Sequence, residues 1–114
     1  MILFNTTYLV TPNIEKTFLY WLSSVYVPKI KETGLVSNPR LLKVLTDEKD
    51  GISYSLQVEA ENVSQMNEFK KKHLGALEEE VSKTFGEREL FFSTYLKQYP
   101  LYLFTVNLQK FYCR

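Results

Sequence analysis

The hydrophobic period of this chain switches between two and about 3.6 in the order strand, helix, strand, strand, helix, strand. No other feature narrows the available folds as far. Residues 2–10 (ILFNTTYLV) are rich in β-formers and predict a strand, with Phe4, Thr6, Tyr8 and Val10 on one face and Leu3, Asn5, Thr7 and Leu9 on the other. Thr11 then suits an N-cap with Pro12 at the first helical position, and Asn13 is a competing cap. Ile14, Phe18, Trp21, Leu22 and Val25 recur at steps of three and four, the stripe of a helix lying on a core. Pro28 predicts a kink or restart in that helix, and Gly34 suits its C-terminal left-handed residue.

Two further strands are predicted over 40–46 and 52–60, joined through Asp47 to Gly51; Asp50-Gly51 is a hairpin signal because both residues tolerate positive φ. The second of these strands alternates Ile52, Tyr54, Leu56 and Val58 against Ser53, Ser55, Gln57 and Glu59. Asn62 with Gln65 three residues on resembles a capping box, and a second helix follows with the stripe Met66, Phe69, His73, Leu77 and Val81. Phe85 lies at its edge and Gly86 ends it. Residues 88–98 predict a fourth strand that Pro100 stops. Two strand-helix-strand units joined by a hairpin predict an α+β, ferredoxin-like βαββαβ sandwich, a four-stranded antiparallel sheet with both helices on one face. Residues 1–100 form this domain, and 101–114 form a C-terminal strand-forming extension.

Composition removes several functional classes. A length of 114 residues suits one core, and 45 % hydrophobic with 24 % charged residues is ordinary for a globular domain. A net charge of +1 gives no basic face for nucleic acid. Cys113 is the only cysteine, so neither a disulfide framework nor a cysteine metal site is expected. The residues Met1 to Asn5 are apolar but lack the basic region of a signal peptide, and no apolar run approaches the roughly eighteen residues of a membrane span, so the expected location is a reducing cytoplasm, away from membranes.

In order along the chain, Trp21-x4-Tyr26-Val27-Pro28, Thr33-Gly34-Leu35, Arg40-Leu41-Leu42 and Phe85-Gly86-Glu87-Arg88 resemble a small uncharacterised bacterial family of the dimeric α/β-barrel superfamily. The resemblance covers about residues 1–98 and implies a ferredoxin-like fold and a homodimer, with no activity to transfer. Two departures stand out. The family pattern usually has a His where this chain has Tyr26, and it usually ends near the fourth strand, whereas this chain continues past Pro100.

Candidate chemistry is sparse. His73 is the only histidine, and a lone imidazole without a second His or Cys does not complete a metal shell. No metal and no cofactor are expected. Haem-degrading and quinone-forming monooxygenases of the same superfamily pair a first-strand Asn with a Trp and often a His on the second helix. Asn5 and His73 suit two of those roles, but the only Trp, Trp21, is on the first helix. Period-two spacing directs Asn5, Thr7, Ser53, Ser55, Gln57, Ser93 and Tyr95 to the sheet face away from the helices, where a small-molecule ligand can sit between two facing sheets. Lys70-Lys71-Lys72 and Glu78-Glu79-Glu80 read as a solvated helix surface. In the tail, Tyr102, Phe104, Val106 and Leu108 alternate against Thr105, Asn107 and Gln109, which predicts a fifth strand that covers a sheet edge, either that of a partner, building the dimer, or its own. The leading expectation is a ligand-binding or structural homodimer without catalysis. A cofactor-poor enzyme of the monooxygenase or lyase kind, and a protein-protein adaptor working through the aromatic tail, are the alternatives.

Overall fold

A computed structural model describes residues 1–45 and 51–99. Its strands are β1 (Ile2–Val10), β2 (Ser37–Lys43), β3 (Ile52–Ala60) and β4 (Glu89–Lys97). They form one antiparallel sheet in the order β2-β3-β1-β4. The first helix, residues 15–32, joins β1 to β2, and the second, residues 63–85, joins β3 to β4. This is the ferredoxin-like α+β arrangement. The expected β1 and β3 match the observed strands end to end.

A π turn interrupts each helix, Leu22–Tyr26 in the first and Lys70–Leu74 in the second. The first of these meets the expected restart at Pro28, since a new α-helical segment, Val27–Glu32, begins with the proline in its first turn. The helix runs on through α-helical Val27–Glu32 because its hydrogen-bond ladder changes register before the proline removes a donor. The Val27 N–H donates to the Leu22 carbonyl five residues back. The same turns move the buried stripes. Ile14, Phe18, Leu22, Tyr26 and Ile30 carry the first helix at steps of four, whereas Trp21 and Val25 are half-buried. In the second helix Leu74 takes the core position expected of His73, because a π turn holds more than 3.6 residues.

The core fills the layer between the helices and one sheet face. Phe18, with no exposed surface, meets Tyr8 and Phe85 edge-on, both at 5.2 Å, and Phe4 meets Phe69 edge-on at 6.0 Å. Lys29 of the first helix and Glu80 of the second form an ion pair across the outer surface.

The local starts and stops follow residue chemistry. Asn62 Oδ1 accepts from the Gln65 N–H at 2.9 Å, and the Gln65 side chain accepts from the Glu61 N–H at 3.1 Å. At Thr11 the helix entry is a turn of 3-10 helix over Pro12–Ile14; the Thr11 hydroxyl donates to Asn13 Oδ1 instead of capping the backbone. Strand β2 begins at Ser37, earlier than expected, and has an irregularity between Ser37 and Arg40 with Asn38 at φ 52°. Pro39 is tolerated there because β2 is an edge strand. Gly51 does not adopt positive φ; what it meets is a close approach, since a Cβ there would stand 2.6 Å from Leu9 Cδ1. Asp50 and the tail residues Tyr102, Phe104, Val106 and Leu108 lie outside the described residues.

Candidate functional site

The sheet face away from the helices carries a polar strip set in an apolar rim. Antiparallel register places Asn5 beside Gln57, Thr7 beside Ser55 and Leu9 beside Ser53. Cross-strand neighbours share a face, so period-two alternation in β1 and β3 brings all five polar residues together. Four of them, Gln57, Ser55, Asn5 and Thr7, form one directed chain of hydrogen bonds. Gln57 Nε2 donates to Ser55 Oγ at 3.5 Å, the Ser55 hydroxyl donates to Asn5 Oδ1, and Asn5 Nδ2 donates to Thr7 Oγ1 at 3.4 Å. Gln57 keeps its carbonyl oxygen and Thr7 its hydroxyl proton for a further partner.

Around the strip lie exposed apolar side chains. Leu90 and Phe92 of β4 are 65 % and 63 % exposed, and Leu9, Leu42 and Leu96 are also exposed. A hollow of about 320 Å³ runs between Thr7, Leu9 and Ser53 on one side and Leu90, Phe91 and Phe92 on the other. Arg40 and Glu59 pair at 3.7 Å toward the β2 edge.

Two of the expected face residues belong elsewhere. Ser93 pairs with Thr6 and Tyr95 with Phe4, both partners of the helix-side parity. Ser93 Oγ is 3.1 Å from Thr6 Oγ1, and the Tyr95 ring lies 4.9 Å from that of Phe4. In β4 the side chains facing away from the helices are Leu90, Phe92, Thr94 and Leu96, one residue out of step with the expected set.

His73 lies in the helix layer, in a crease with Lys29, Thr33, Lys72 and Glu80, and its ring centroid is 6.4 Å from that of Phe69. The sheet therefore separates His73 from Asn5, and the paired roles suggested for them in a monooxygenase site are not brought together. Among the described residues no group of three or more His, Cys, Asp or Glu side chains is arranged to hold a metal ion.

A second polar group went unnoticed in the sequence. Glu89 is 4 % exposed at the start of β4, and its Oε1 has no hydrogen-bond partner. Burial pushes its carboxyl up. Burial raises the nearby Tyr8 well above the ordinary phenol value and Tyr26 to about 12, and the Glu89 carboxylate acts on both in the same direction. The available signal was parity: Glu89 shares its side of β4 with Phe91. Tyr26, where the resemblance expects a His, packs its ring against Trp21 at 5.4 Å. This group is sealed in the core.

Comparison with solved structures finds the same fold at low identity. An antibiotic biosynthesis monooxygenase is 16 % identical with a TM-score of 0.58, covering 88 % of this chain and all of its own. HapK from Hahella chejuensis is 10 % identical with a TM-score of 0.62, covering 87 % of this chain and 93 % of its own. A dimeric ferredoxin-like protein from an uncultured marine organism is 12 % identical with a TM-score of 0.57, covering 88 % of this chain and 99 % of its own. A search of curated proteins gives no match. A family model described as a domain of unknown function, DUF4286, matches residues 1–99.

Proposed function

We propose, for a chain that belongs to the DUF4286 domain family, that it works as a homodimer whose two sheets face each other and hold a small uncharged molecule between them. The observation that carries this reading is the composition of the open face. Leu90, Phe92 and Leu96 are large apolar side chains left half or more exposed, and a second copy of the same face covers them with two-fold symmetry. The polar strip inside the rim is half-buried in one subunit, and pairing two such faces withdraws it further from water. Its spare groups are the Gln57 carbonyl and the Thr7 hydroxyl, which suit hydrogen bonding to a neutral ligand. That a dimeric ferredoxin-like protein from an uncultured marine organism shares this fold supports the assembly.

The strip holds no ionisable side chain, so binding fits it better than acid-base catalysis. Native mass spectrometry tests assembly and cargo together. The expected result is a dimer whose mass exceeds two chains by that of one or two small molecules, with Leu90→Asp/Phe92→Asp giving an empty monomer. A wild-type monomer, or a double variant that stays dimeric, would sink the reading.

A second assembly route rests on the sheet order, which leaves β4 as an edge strand among the described residues. In that route the segment bearing Tyr102, Phe104, Val106 and Leu108, outside the described residues, closes the dimer. Truncation after Pro100 separates the two. A dimer of the shortened chain supports the facing sheets, and its conversion to monomer supports the tail.

A further inference from the structure

We propose a second binding site, for a small monocarboxylate with a flat or short apolar body, in the cleft between the start of the second helix and the end of β4. The cleft has a volume of about 200 Å³. At about 30 Å³ per water this is room for roughly seven waters, which matches a single ring with one substituent. Buried Ile2 and Met66 form its floor, and the more exposed Val63 and Tyr95 form its walls. Its remaining polar lining is Asn67, Lys70 and Lys97, with no acidic side chain among the lining residues.

Among the described residues, no ion pair neutralises the charge at this cleft. Along Lys70-Lys71-Lys72, Lys72 pairs with Glu68 at 2.7 Å, whereas the Lys70 ammonium lies 4.8 Å from the centre of the Tyr95 ring. That position holds the ammonium beside the cleft mouth by cation–π attraction. Neither Lys70 nor Lys97 forms an ion pair among the described residues. Two ammonium groups and the Asn67 amide supply donors and no competing anion, the complement of a carboxylate. An apolar floor below them takes the body of the ligand. Burial, with the Glu78 carboxylate acting in the same direction, raises the Tyr95 phenol, so the cleft wall stays uncharged.

The site is distinct from the open face, because Asn67, Lys70 and Tyr95 belong to the helix side of the sheet, and Leu96 at the cleft rim is the one lining residue that the two share. The test is a titration of the full chain with sodium benzoate, followed by amide 1H–15N shifts, with benzylamine as the probe of opposite charge. Expected are saturable shifts at Val63, Asn67, Lys70 and Leu96 with a dissociation constant in the millimolar range or tighter. Benzylamine should give none at these positions. Lys70→Gln/Lys97→Gln should weaken benzoate binding by roughly tenfold, and Lys70→Arg should retain it. Absent or non-saturating shifts, equal binding of benzylamine, or unchanged affinity in the double glutamine variant would each overturn the proposal. The same titration of the Phe92→Asp variant should give unchanged binding; loss there would assign the benzoate site to the open face.

Discussion

Phe69 is fully buried and meets the Phe4 ring, so Phe69→Ala removes an aromatic ring from a packed layer. The expected cost is about 3–5 kcal/mol, measured by denaturant titration. Glu89 tests the opposite case, a residue whose native form burdens the fold. Its buried carboxyl binds its proton more tightly in the folded chain than in the unfolded one. The favourable contribution is therefore complete below the ordinary glutamate range and is lost as pH rises through the raised folded value. Glu89→Gln removes that loss. Expected is a variant more stable than wild type by about 1–3 kcal/mol at neutral pH, with the difference shrinking toward acid. Glu78 is shifted the same way by its own burial, so the wild-type-minus-variant difference, not either curve alone, reports Glu89. A difference that stays constant with pH would show that Glu89 does not carry this linkage.

Within an element, the π turns decide which side chain reaches the core. The strict 3.6-residue period points His73 inward, and the turn at Lys70–Leu74 substitutes Leu74, which is 6 % exposed. Leu74→Ala should cost about 2–5 kcal/mol, whereas His73→Ala should cost less than about 1 kcal/mol. Equal costs would mean the helix keeps its α-helical register through this stretch. The same logic places Tyr26, not Val25, beneath the first helix. At the helix start, Asn62→Ala removes the acceptor for the Gln65 N–H and should cost about 0.5–2 kcal/mol in thermal or chemical denaturation.

For the whole molecule, the sheet divides a closed side from an open one. The helices cover the side that bears Phe4, Tyr8, Leu56 and Val58, and the other side keeps its leucines and Phe92 in contact with solvent. That asymmetry motivates the facing-sheet dimer, and it gives salt and dilution different expected effects. A dimer closed by Leu90, Phe92 and Leu96 should resist added salt and dissociate on dilution, as light scattering would record. Dissociation by salt alone would assign the contact to the charged surfaces, such as Arg40 and Glu59.

The alternation in β1 and β3 determined by itself which residues share the open face, because a strand's side chains have a period of two whatever surrounds them. The capping pair Asn62 and Gln65 was legible for the same reason, being local chemistry within one turn. The parity of β4 was not. Ser93 and Tyr95 were expected on the open face, and cross-strand pairing with β1 put Phe92 and Thr94 there instead. The π turns were equally hidden, since a local pattern does not specify where a helix lengthens its hydrogen-bond loop to fit a core. Only packing of the helices on the sheet placed Leu74 inside, left His73 at the edge, and buried Glu89 beside two tyrosines. Local periodicity assigned the elements; long-range register and packing decided which side chains meet.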